Sequence, residues 1–202
     1  MKSYIDELDR NIFNFVEYEG YDDRYPSLSM QDFSSDFYDE IRHASRRLFQ
    51  IFCKAAKVFQ MAPDDFARNM DMPDNLIPYL HKSNALGLPT WLSRFDFVLD
   101  VNGNLRMVEL NADTPCFLIE SYYANKVAAN YVGRKHPNIE CRNELHTFLK
   151  RMYDAVLSAK YGRNQYESMR ANRESLPKDP FVFSCFHDYF EDYGTTQFLM
   201  KE

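Results

Sequence analysis

The chain has 202 residues, 45% of them hydrophobic and 16% aromatic, with a formal net charge of −6 and a mean hydropathy of −0.53. That length and apolar content suit a sizeable globular core and exclude a disordered chain. With 24 Lys plus Arg against 30 Asp plus Glu, it lacks the positive surplus of a general nucleic-acid binder.

Cys53, Cys116, Cys141 and Cys185 form no CxxC pair and no regular spacing, so they read as free thiols in a reducing compartment. The opening MKSYIDELDRN has no apolar signal run, and no stretch approaches the length of a membrane span. The expectation is a cytoplasmic protein whose partners include neither nucleic acid nor membrane. No internal repeat, glycine-rich phosphate loop or G-x-S-x-G is present.

In chain order, Ser3 and Asp6 resemble a capping box. Ile5, Leu8, Ile12, Phe13 and Val16 come next at helical spacing, predicting a helix that ends at Gly20. Tyr21 to Pro26 reads as a loop. A long helix starts at Ser35 or Asp36, with Phe37, Ile41, Ala44, Leu48, Phe52, Ala55 and Phe59 as its apolar stripe. Its basic residues, among them Arg46 and Arg47, read as a solvated face. Pro63 and Pro73 suit the first turns of short helices over Asp64 to Met70 and Asp74 to His81. Gly87 and Pro89 break the chain before the single tryptophan, Trp91, a core or contact residue.

Ser93 to Pro115, SRFDFVLDVNGNLRMVELNADTP, is the stretch around which the chain is organised. Two alternating runs flank Asn102-Gly103, the signature of a tight hairpin with a two-residue type I′ turn. Val101 would then face Asn104, and Leu99, Val98 and Phe97 would face Arg106, Met107 and Val108. Beyond them, Asp96 faces Glu109, Phe95 faces Leu110 and Arg94 faces Asn111. Opposed residues share a face. Phe95, Phe97, Val108 and Leu110 make a core face; Arg94, Asp96, Glu109 and Asn111 make a polar one. Two opposed carboxylates repel. Either a hard divalent cation between them removes the conflict, or this is an ordinary solvated face on which Arg94 neutralises the acids.

After the hairpin, Asn111, Asp113 and Thr114 are turn and cap residues. Phe117 to Val132 reads as a helix whose first N–H groups favour an anion. Cys116, with no evident base, is a weak candidate nucleophile. Cys141 to Lys160 is amphipathic, with Leu145, Phe148, Leu149, Met152, Val156 and Leu157 as its stripe. Tyr161 to Asp179 reads as a polar loop. Phe181 to Phe186 reads as a buried strand, His187-Asp188 come after it, and Glu191 to Glu202 reads as a helix. The fold class is α+β or α/β over a single domain. Residues 1–84 are mainly helical and pack on a sheet with the antiparallel hairpin, 85–160 hold the hairpin and helices, and 180–202 open an α/β unit.

RFDF–VLD–NGN–L–MVELNADTP resembles the motif of the glutathionylspermidine synthase family, and FVFSCFHDYFEDYGTTQFL is similar to that family's next strand, acidic pair and helix. The resemblance is clear over residues 85 to 135 and fainter over 180 to 202. It implies an ATP-grasp-type fold that joins a peptide carboxylate to an amine through an acyl phosphate, using ATP and Mg²⁺. By that resemblance Asp96, Glu109 and Asn111 would ligate Mg²⁺. Arg94 would contact the transferring phosphate or the peptide carboxylate, so Arg94 and Asp96 together would serve the nucleotide. Thr114 and Cys116 would contact a glutathione-like peptide, and Glu191 and Asp192 would face the amine.

The family's adenine pocket and phosphate-binding lysines lie downstream of the matched region. The expectation is therefore a truncated synthetase fold: the N-terminal portion of a carboxylate–amine ligase, with an incomplete nucleotide pocket and no activity alone. The alternative is a non-catalytic module that binds a small peptide, a metal, a partner chain or a second copy of itself. A small metal-dependent hydrolase would need a third ligand such as His187.

Overall fold

A computed structural model describes residues 3–16, 25–87, 89–113, 115–172, 182–185 and 190–202. The chain is mostly helical with one small antiparallel sheet, an α+β arrangement. It divides into two compact units: Gln31–Thr114, the hairpin unit, and a discontinuous unit of Met1–Met30 with Pro115–Glu202.

In the hairpin unit, α1 spans Ser35–Met61, and the Ser34 hydroxyl accepts the Phe37 N–H at 3.2 Å, a polar N-cap. The expected stripe faces inward, but only to half-burial, and Ala55 is exposed. Helices α2 (Asp64–Asn69) and α3 (Ile77–Ser83) come next; α3 starts three residues later than Pro73 suggested, after a turn over residues 74–76. Polar groups tie these helices together. His81 Nδ1 donates to the Gln60 carbonyl at 2.8 Å in the last turn of α1, and Nε2 meets Asp64 at 2.9 Å. Gln60, nearly buried, donates to the Ser83 hydroxyl at 2.8 Å. Arg68 reaches Asp65 and Asp74, each at 2.7 Å.

Strands β1 (Arg94–Leu99) and β2 (Leu105–Asn111) form the sheet. The Arg94–Asn111, Phe95–Leu110 and Asp96–Glu109 pairs are as expected. Nearer the turn the register differs by one: Phe97, Val98 and Leu99 face Met107, Arg106 and Leu105. The loop is Val101–Asn102–Gly103, closed by the Asp100 N–H donating to the Asn104 carbonyl at 2.9 Å, with Gly103 left-handed at φ 79°. It is thus a three-residue loop rather than the two-residue type I′ turn. The Asp100 carboxylate decides this by accepting the N–H groups of Asn102 and Asn104 at 3.0 and 2.8 Å. The extra loop residue slips the register by one, and a bulge at Val108 slips it back. The correction reaches the core face: Val108 is 62% exposed, and Met107 and Leu105 take its side with Phe95, Phe97 and Leu110. The Phe52 ring of α1 packs 6.0 Å from that of Phe95, which seats this face on the helix.

The discontinuous unit holds the denser core. Phe13, Val16 and Ile119 are almost fully buried, among Tyr4, Ile5, Leu8, Ile12 and Phe198. The expected N-terminal helix is only a 3₁₀ turn, Tyr4–Glu7, with the Ser3 N–H donating to Asp6 at 2.9 Å. The apolar residues are buried as expected, but not as a helical stripe. Asp9 breaks the helix: its carboxylate accepts the Asn11 N–H at 2.9 Å and its backbone N–H donates to the Tyr123 hydroxyl. Phe13, Phe15 and Val16 are then buried almost in succession, which one helix face cannot achieve.

The helix expected over Phe117 to Val132 begins at Leu118, passes through a π turn at Glu120–Ala124 and ends as α4, Asn125–Tyr131. Helix α5 (Arg142–Tyr161) is as expected, with Leu145 and Leu157 buried. The expected polar loop contains α6, Arg163–Ala171. Its one deep anchor, Tyr166, is too little apolar signal to read as a stripe; its hydroxyl donates to Asp154 at 2.6 Å. Residues 182–185 have no regular structure and Val182 is 75% exposed, so the expected buried strand is absent there; Phe181 and Phe186 lie outside the described residues. A short apolar run does not by itself supply a neighbouring strand. Helix α7, Phe190–Lys201, approaches the N-terminal segment through Gly194. A Cβ there would stand 2.0 Å from the Ile12 carbonyl oxygen.

Candidate functional site

The polar face of the hairpin is the site with the most chemistry. Because loop and bulge cancel, Asp96 stands directly opposite Glu109, and Arg94 opposite Asn111. The Arg94 guanidinium grips Asp96 with two bonds, Nε to Oδ1 at 2.7 Å and Nη2 to Oδ2 at 3.0 Å. That fork holds the Asp96 carboxyl below the usual carboxylate range. Both side chains are half-buried. Asn111 is half-buried and Glu109 exposed.

One residue that sequence reasoning did not single out sets this geometry. Asp100 collects the loop N–H groups and also accepts Arg106 Nε and Nη2, at 3.0 and 2.9 Å. The Asn104 N–H leads in holding its carboxyl low. Its signal was an aspartate two residues ahead of Asn-Gly, where an Asx turn competes with the tighter loop.

Two carboxylates and an amide oxygen are hard donors of the kind Mg²⁺ takes, and an Asp96 held by one guanidinium keeps lone pairs for a further ligand. Among the described residues no three His, Cys, Asp or Glu side chains converge in a set able to hold a metal ion. The expected third ligand, His187, lies outside the described residues, as does Thr114.

Cys116, Glu191 and Asp192 belong to the discontinuous unit. Cys116 is a half-buried free thiol. Glu191 and Asp192 sit in the first turn of α7, where acids complement the helix dipole. Next to Cys116, Phe117 has φ 75°. A bulky residue in the left-handed region is an outlier costing about 1–2 kcal/mol. Nothing in the sequence announced it.

The glutathionylspermidine synthase preATP-grasp family model matches residues 5–202. The chain belongs to that family. Glutathionylspermidine synthases are ATP- and Mg²⁺-dependent synthetases, which gives this preATP-grasp chain a ligase-type context. No curated protein and no solved structure matches it. The match extends the resemblance from the hairpin and the last segment to nearly the whole chain. Among the described residues of this preATP-grasp chain, no helix is long and apolar enough to cross a membrane.

Proposed function

We propose that this chain is the N-terminal, preATP-grasp portion of a carboxylate–amine ligase that uses ATP and Mg²⁺, and that it does not complete the reaction alone. The observation that carries the reading is the opposition of Asp96 and Glu109, with Arg94 and Asn111 beside them, in a chain matched to this family over 5–202. Asp96, Glu109 and Asn111 would hold Mg²⁺, which when bound neutralises charge on phosphoryl oxygens. Arg94 would orient the phosphate or the peptide carboxylate, exchanging one oxyanion partner, Asp96, for another. Thr114 and Cys116 would contact a small glutathione-like peptide, and Glu191 and Asp192 would attract a cationic amine. An amine arriving neutral needs no general base from this chain.

The closed Arg94–Asp96 pair favours a second reading: a non-catalytic binding module in which the pair is structural. A thermal shift of the chain with Mg²⁺, ATP and glutathione, singly and combined, separates the two. Ligands that bind only the folded state raise the midpoint. The ligase reading expects a Mg²⁺-dependent rise that Asp96→Asn and Glu109→Gln abolish, with those variants more stable than wild type in the absence of Mg²⁺. A rise with glutathione alone, untouched by either variant, identifies a peptide-binding module. No change on any addition returns the face to an ordinary solvated one.

A further inference from the structure

Phe117 breaks two local rules at once. Its backbone is left-handed, which suits glycine or asparagine, and its carbonyl accepts the Ser121 N–H at 3.0 Å, which puts it at the capping position of the following helix. Phenylalanine is a poor choice for both. Burial compensates little, because Phe117 is 52% exposed. Three residues later the helix opens into the π turn Glu120–Ala124, an irregularity that concentrates at functional sites. Local rules broken by a half-exposed ring mark positions kept for something other than stability.

We propose that the Phe117 ring is a positioning surface for a short peptide ligand, taking its planar amide or aliphatic surface beside Cys116. This rests on the peptide-binding part of the proposed function. A half-open aromatic face is suited to such a surface, since it offers apolar area with few rotamers to freeze. The backbone strain keeps the ring at the start of the helix, where an unstrained cap would present a small polar side chain instead.

Phe117→Asn suits both the left-handed backbone and the cap; Phe117→Tyr keeps the ring. The probe is glutathione, added with Mg²⁺ and ATP, and the readouts are the ligand-free midpoint and the glutathione concentration giving half the thermal shift. Phe117→Asn is expected to raise the ligand-free midpoint and to raise the half-saturating concentration at least tenfold, while Phe117→Tyr stays within a few-fold of wild type. A lowered midpoint or failure to fold in Phe117→Asn means that the ring belongs to the core, and overturns the proposal. So does a glutathione response that survives the substitution, which leaves the ligase reading intact. A wild-type chain that ignores glutathione removes the peptide-binding reading and this inference with it.

Discussion

The two units are held together in different ways. In the discontinuous unit Phe13, Val16 and Ile119 are almost wholly buried, and aromatic rings close over them, with Phe13 and Phe15 at 4.4 Å. In the hairpin unit only Ala67, Ile77 and Gln60 are buried among the described residues. That unit relies on half-buried rings and on polar clasps: His81 on Gln60 and Asp64, Arg68 on three aspartates, Asp100 on its loop. The unit with the candidate site is thus the one whose stability is more electrostatic and more dependent on pH. A site built on opposed carboxylates gains from a frame that can yield when a cation or phosphate arrives, and a dry core yields least.

The sharpest test of the contrast is a pair of truncations. Phe13→Ala should cost about 3–5 kcal/mol, because a fully buried ring leaves a cavity. Phe95→Ala should cost about 1–2 kcal/mol, since its ring is only half-buried. Urea unfolding measures both, and the single Trp91 reports on the hairpin unit by fluorescence. Equal costs would dissolve the distinction.

Gly194→Ala comes next, with an expected loss of about 1–3 kcal/mol from overpacking. Helix propensity alone argues for a gain of up to about 1 kcal/mol. The sign therefore decides whether the approach to the Ile12 carbonyl is as close as 2.0 Å.

The pH dependence should separate the units further. His81 has a raised pKa, first because it donates to the Gln60 carbonyl and then because of Asp64. Its contribution is fully present below its ordinary value of 6.5 and fades as pH rises through the higher folded value. His81→Gln should flatten that loss in the Trp91 transition. Asp96 has a lowered pKa, held mainly by Arg94. Its contribution is present above the ordinary carboxylate value of 3.8 and is lost as pH falls through the lower folded value.

The smallest expected effect is at the surface. Lys201 meets Asp9 at 2.8 Å with both side chains open to solvent. Lys201→Ala should change stability by less than about 1 kcal/mol, and less in high salt. A larger loss would mean that the α7 contact in the discontinuous unit rests on charge and not on Gly194 and Phe198.

Sequence alone determined the features that are local in the chain. Apolar spacing of three and four placed α1 and α5 almost to the residue, because a helix writes its period into its own stripe. Alternation around Asn102-Gly103 placed the hairpin and the Asp96–Glu109 opposition, and the RFDF and VELNADTP segments carried the family. Tertiary structure decided what no window contains. The three-residue loop and the Val108 bulge each contradict the simple register, and the site survives because they cancel. The N-terminal segment is buried yet not helical, since Asp9 bonds across the fold to Tyr123 and Lys201. Helix α6 hangs on one tyrosine whose hydroxyl meets an aspartate twelve residues away. In each case a long-range contact overrode local preference, because a propensity is worth tenths of a kilocalorie per residue and a buried contact more.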